Sequence, residues 1–339
     1  MTGIVIAICV ILIFGLIILI HELGHFLTAK IFSVTVHEFA IGMGPKLLGW
    51  GRGETLYSLR LIPMGGYVRM EGEDEDSPSE GAFSNQKPWK RLIILFAGAF
   101  MNLVLGLSLL LVYNAANPMM EAIPTMEVSA VVPGMGAEQA GILAGDEILS
   151  LDGTKIGTQL DLQMALYEKE NVSAVILRQD KKLTAVIPVT EVDGIPRLGI
   201  QRAVREKSFW NVLSYSYFET FSIVKMTYQA FFGMFTGTVS VDQMSGPVGI
   251  VTEIGSAVQR GFFDVLFIAI LITLNLGVVN LFPLPALDGG RIVFVLWEMI
   301  TKRKLKAEYE GIIHFIGFVI LIFFMIYITK NDIVRLFIK

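Results

Sequence analysis

The chain has 339 residues, 53% of them hydrophobic and only 17% charged, with a mean hydropathy of +0.62. That balance is too apolar for an ordinary soluble domain of this length. A formal net charge of −4 argues against nucleic acid as a partner, and a lone cysteine, Cys9, rules out a disulfide framework or a thiolate metal site.

A membrane-spanning helix needs roughly 20 apolar residues. Four stretches meet that length, at about residues 3–30, 92–113, 265–287 and 311–329. The first lacks the basic start and small-residue cleavage site of a signal peptide, so it reads as a retained span. It ends in His21-Glu22-Leu23-Gly24-His25, an H-E-x-x-H motif. Histidines four apart share one helix face and can grip one Zn²⁺, with Glu22 poised beside a water. A carboxylate inside a span costs several kcal/mol unless it is paired or functional. The motif therefore points to zinc hydrolysis within the bilayer.

Residues 54–70 read as a membrane-associated β-hairpin, with Gly65-Gly66 as its turn. The acidic, turn-rich stretch 71–84 reads as a mobile linker. After the second span, strands are expected at 126–132, 146–152, 172–178 and 183–189, with a helix starting at 137 and another over 161–170. These form a small α+β domain inserted between spans two and three. Residues 208–237 mix aromatics with polar groups and predict a helix along the outer membrane interface. A fifth span is the alternative, but Glu219 and Lys225 weigh against it. In the third span Pro283 and Pro285 break the helix, and Gly289-Gly290 permit a tight turn.

Basic residues cluster in the loop 30–91 and in 291–306, and the positive-inside rule places both in the cytoplasm. Both termini and the inserted domain then lie outside. The first and third spans run in the same direction, so H-E-x-x-H and Asp288 reach the same depth near the inner face. A catalytic zinc site needs three protein ligands. His37, Glu38 and His314 are weaker candidates than Asp288, whose alternative role is capping a helix start. Irregular backbone at membrane depth is tolerated where it lines a protein cavity, which suits the segment carrying Asp288.

Taken together, H-E-x-x-H at 21–25 and Asn280-Leu281-Phe282-Pro283-Leu284-Pro285-Ala286-Leu287-Asp288-Gly289-Gly290 resemble the two signatures of the site-2 protease family, bacterial RseP/RasP type. Gly65-Gly66-Tyr67-Val68, Trp89-Lys90-Arg91 and Ser245-Gly246-Pro247-Val248-Gly249 also look like family features. The inserted domain resembles a single PDZ domain at Gly141–Asp146 and Ile148–Gly153. Ala99 departs from the family pattern, which tends to have Pro after Gly98. The resemblance implies a polytopic α-helical membrane protein with four transmembrane helices and an inserted PDZ-like domain. It implies Zn²⁺ held by His21, His25 and Asp288, with Glu22 as general base. It also implies single-pass membrane proteins as substrates, such as anti-sigma factors and remnant signal peptides, in a bacterial inner membrane. The substrate-binding set expected is Asn280, Pro283, Pro285, Asn102, Gly65 and Gly66. Asn280 would bond an opened substrate backbone, or else make an interhelical contact. The domains expected are 1–113, 114–200 (PDZ-like), 201–262 (interfacial helix and linker) and 263–339. A PDZ adaptor with a vestigial site and a zinc transporter are the competing classes; intact Glu22 and Asp288 weigh against the first, and sparse polar groups in spans two and four against the second.

Overall fold

The structure is a computed structural model that describes residues 2–73, 75, 77–240 and 244–338. Among these, four helices are long and apolar enough to cross a membrane: Gly3–Ile31, Pro88–Ala116, Phe262–Asn280 and Glu308–Phe337. The chain forms two compact units, Met1–Leu109 with Thr227–Lys339, and Leu110–Met226.

The first unit starts with α1 (Thr2–Ile31), a helix apolar on every side, as a span surrounded by lipid and protein should be. Strands β1 (Val36–Arg52) and β2 (Thr55–Met70) follow and pair antiparallel. The hairpin is longer than the sequence predicts, and its turn lies at Gly53-Glu54 rather than at Gly65-Gly66. The glycines and proline of β1, which read as breakers, instead let the strand bend. Residues 38–41 lie between 66–69 on one side and 56–59 on the other, while 46–52 pair with 55–60. The stretch after β2 is no free linker either. Phe83 N donates to Glu71 O, Ser84 N to Gly72 O, and Thr35 N to Gly81 O. Asp74 and Asp76, part of the same expected linker, lie outside the described residues.

Helix α2 (Pro88–Ala116) opens on Pro88, the favoured first helical position. In the second unit come β3 (Ile123–Val131), α3 (Gly136–Gln139), β4 (Glu147–Leu151), β5 (Thr154–Lys155) and α4 (Gln159–Leu166). They are followed by β6 (Asn171–Arg178), β7 (Lys181–Pro188), β8 (Thr190–Val192), β9 (Ile195–Arg197) and β10 (Ile200–Arg205). The sheet order is β10-β3-β4-β6-β7, with β5 on β4. Its core gathers Val128, Ile148, Leu151, Leu166, Val172, Ile176 and Ile187. Thr158 caps α4 reciprocally with Asp161, so the helix begins at Gln159, two residues before the expected start. Strands β8 to β10 also carry the domain past residue 200.

Helix α5 (Phe209–Thr236) covers the aromatic-rich stretch and is not one of the four candidate spans. Two helices go beyond the sequence reading: α6 (Pro247–Arg260), where a linker was expected, and α8 (Asp288–Thr301). Helix α7 (Phe262–Asn280) stops before the two prolines, and α9 (Ala307–Ile338) closes the chain. Gly289-Gly290 form no turn. They lie in the first turn of α8, packed against the carbonyls of Phe282 and Leu284. Phe282 is buried beneath Phe231 of α5, stacked at 3.8 Å, and this anchors the broken segment.

Candidate metal centre

Near the end of α1, the rings of His21 and His25 face the first residue of α8. The Nε2 atoms of the two histidines are 3.2 Å apart. Asp288 Oδ2 stands 3.2 Å from His21 Nε2 and 3.3 Å from His25 Nε2. Three atoms thus form a nearly equilateral triangle. Zinc bonds of about 2.0–2.1 Å in tetrahedral geometry imply ligand separations of about 3.3–3.4 Å, so the triangle fits one face of a zinc tetrahedron. The donor chemistry fits as well. His25 Nδ1 donates to Ile94 O at 2.8 Å, which leaves the Nε2 lone pair turned toward His21 and Asp288. Asp288 Oδ2 is buried and makes no hydrogen bond within the protein.

The close approach of α2 makes this packing possible. A Cβ built at Gly24 would lie 2.3 Å from Ala97 O, and one at Gly98 would lie 2.3 Å from His25 Nε2. The sequence reading missed both positions as functional. The spacing of Gly98 and Asn102, four residues apart on one helix face, was the available signal.

His21, His25, Asp288 and Glu22 line a cavity of about 450 Å³, together with Tyr67, Val68, Arg291 and His314. Glu22 accepts from the Val68 backbone amide, so the last stretch of β2 runs past the H-E-x-x-H motif. Tyr67, also on that stretch, donates to Glu38 Oε2 at 2.8 Å. Glu38 Oε1 accepts from Ser58 (2.6 Å) and Arg60 (2.7 Å). Burial pushes the Glu38 carboxyl up, but the bonds from Ser58, Arg60 and Tyr67 outweigh it and hold the group down at about 2.

The other expected residues are placed differently. Asn102 is fully buried beside His21, its Nδ2 3.4 Å from His21 Nδ1, and does not line the cavity. Gly66 packs next to Glu22, and Gly65 has φ +95° beneath Met43. Asn280 ends α7, Pro283 is exposed, and Pro285 packs on Gly317; none of the three lines the cavity. His37 is bonded to Glu71 and Glu38 to the hairpin, so neither joins the triangle. His314 Nδ1 accepts from the Ala286 amide at 2.8 Å.

An H-E-x-x-H helix, an aspartate at the start of the helix after a broken segment and a second carboxylate, Glu22, in the same cavity are the parts that a membrane-embedded metalloprotease requires. Comparison with known proteins agrees. The model of peptidase family M50 matches residues 9–324. Zinc metalloprotease RasP of Oceanobacillus iheyensis is 31% identical over 421 aligned positions, covering 96% of this chain and 98% of the relative. A protein of Clostridium acetobutylicum, named as a candidate zinc metalloprotease, is 39% identical over 330, covering 96% of each. A solved PDZ domain from Listeria innocua is similar to 25% of the chain and covers 99% of that domain, at 26% identity and a TM-score of 0.22. The chain therefore belongs to peptidase family M50, the site-2 proteases. It is a multi-pass zinc metalloprotease with membrane proteins as its substrates.

Proposed function

We propose that this protease cuts single-pass membrane proteins within their spans, with anti-sigma-factor-like proteins and remnant signal peptides as the substrate classes. One observation carries the reading: the triangle of His21, His25 and Asp288 opens on the same cavity as Glu22. His21, His25 and Asp288 would hold the zinc ion, which when bound would supply Lewis-acid polarisation of a scissile carbonyl and a water of pKa lowered toward ~7. Glu22 takes the proton of the attacking water and returns it to the leaving amide nitrogen. Asn102 fixes the His21 ring instead of touching substrate.

A helical substrate must be opened first, because its carbonyls are already bonded within the helix. The final stretch of β2, through Gly66-Tyr67-Val68, supports capture of the opened segment by strand addition, since it borders the cavity. Asn280, Pro283 and Pro285 then act indirectly, by ending α7 and setting the course of the segment that brings Asp288 inward. The lysine and arginine bias of the loops supports an active site near the cytoplasmic face of a bacterial inner membrane, with the inserted domain outside.

The test is co-expression of the protease with tagged single-span substrates. The wild type yields a shortened membrane product, and Glu22→Gln lowers that yield by about 10²–10⁴-fold, the range for loss of a general base. Equal cleavage by both proteins would refute the assignment.

A further inference from the structure

Two residues before Asp288, the chain passes through a left-handed turn at Ala286, whose φ is +73°. That left-handed conformation is disfavoured for any residue carrying a Cβ. Alanine also lacks the side-chain acceptor or donor with which Asn or Asp offsets it. Something outside the turn must therefore hold it.

Helix α9 supplies the hold at two points on one face. His314 Nδ1 lies 2.8 Å from the Ala286 nitrogen and accepts its N–H. One turn later Gly317 sits against Pro285; a Cβ there would lie 2.2 Å from the Pro285 Cβ. The His314 ring stands edge-on to Phe294 of α8, centroids 5.5 Å apart, which fixes its plane. Because Nδ1 accepts, it must present a lone pair, so the ring is in one tautomer. Two backbone bonds carry the turn into α8: Leu287 N donates to Leu284 O at 3.3 Å, and Gly290 N to Leu287 O at 3.1 Å.

We infer that His314 is a positioning residue for the metal centre: its Nδ1 pins the Ala286 amide and so keeps the strained turn that presents Asp288 to His21 and His25. The inference rests on the zinc assignment above. His314 coordinates nothing in this role; it acts through the backbone two residues before a ligand.

The experiment uses the full-length protein in detergent or lipid and reads zinc retention against a competing chelator, alongside cleavage. His314→Leu should weaken zinc retention by about 10- to 100-fold, the usual cost of losing a supporting contact. His314→Asn, whose side-chain oxygen falls near the Nδ1 position, should stay within a few-fold of wild type. Adding Ala286→Gly to His314→Leu should recover most of the loss, because glycine adopts positive φ without help. Wild-type zinc retention in His314→Leu would overturn the inference. So would a loss that neither His314→Asn nor Ala286→Gly recovers, since that pattern is general packing damage. A wild-type protein that holds no zinc dependent on His21 and His25 would instead overturn the underlying site assignment.

Discussion

Gly98 of α2 lies against the ring of His25: a Cβ added there would stand 2.3 Å from Nε2 and 2.8 Å from Cε1 of His21. The metal centre is thus shaped from behind by a residue with no side chain. Gly98→Ala should push both imidazoles out of their triangle with Asp288. A displacement near 1 Å can cost about 10²-fold in rate, so cleavage should fall at least that far and zinc content should fall with it. Gly311→Ala, at a position with nothing within 4 Å, is the matched control and should leave both unchanged. Zinc quantification on the purified variants decides the matter, and full zinc occupancy in Gly98→Ala would mean that the helices can separate freely.

Asn102 poses a sharper question of hydrogen bonding. Its Nδ2 lies 3.4 Å from His21 Nδ1, while its buried Oδ1 has no partner. The two ends of an amide are interchangeable in shape. Turned over, Oδ1 accepts the His21 Nδ1 proton, which leaves His21 Nε2 free to bind a cation. Asn102→Leu should then weaken zinc affinity by about 10- to 100-fold, whereas Asn102→Asp keeps an acceptor and should retain zinc. KM for a membrane substrate should be unchanged in enzyme saturated with zinc. A raised KM with normal zinc affinity would restore Asn102 to the substrate side.

Much of this was legible because lipid makes sequence patterns stark. Unbroken apolar runs gave the four helices, and His21, Glu22 and His25 stood out as polar groups that a span does not tolerate idly. Asp288 could be matched to them because two helices running the same way end at one depth. What stayed hidden depends on backbone approach rather than on side-chain chemistry. Gly24 and Gly98 looked like ordinary small residues in a helix. The β1 strand, interrupted by Gly42, Gly44 and Pro45, lacked the alternation by which strands are recognised. Helix α8 was obscured because Gly289-Gly290 read as a turn, although their role is to let its first turn press on the Phe282 and Leu284 carbonyls.

Glu38 gives the hairpin a defined response to pH. Its carboxyl is 4% exposed and held at about 2 by Ser58, Arg60 and Tyr67. A depressed carboxyl stabilises the folded state above its unfolded value near 4.5 and loses that contribution as pH falls toward 2. The hairpin should therefore be indifferent to pH between 6 and 8, around ~7, as far as this group is concerned, and should loosen only in acid. Glu38→Gln should produce the acid behaviour at neutral pH, with faster amide exchange across the strand that carries Tyr67 and Val68. It should also reduce cleavage more than zinc content, because the hairpin borders the cavity without holding the metal. Exchange at Val68 that matched wild type at neutral pH would count against this network as the hairpin's anchor.

Asp332 provides the last test, at the other end of the spans. It is buried near the end of α9 and accepts from Gly246 N at 3.1 Å and Gly249 N at 2.8 Å, the opening of α6. A carboxylate there satisfies amides that the helix leaves unpaired and sits favourably at the positive end of its dipole. The remainder of α6 is fixed by Ile254, which packs with Ile13 and Ile17 of α1. Asp332→Ala should cost about 0.5–2 kcal/mol, the range for a lost N-terminal cap. Asp332→Asn, which keeps one acceptor, should cost less. Because Ile254 remains seated, exchange should rise at residues 246–250 and stay slow around 254. Uniform loosening of all of α6 would show that the cap, and not the isoleucine cluster, holds this helix to α1.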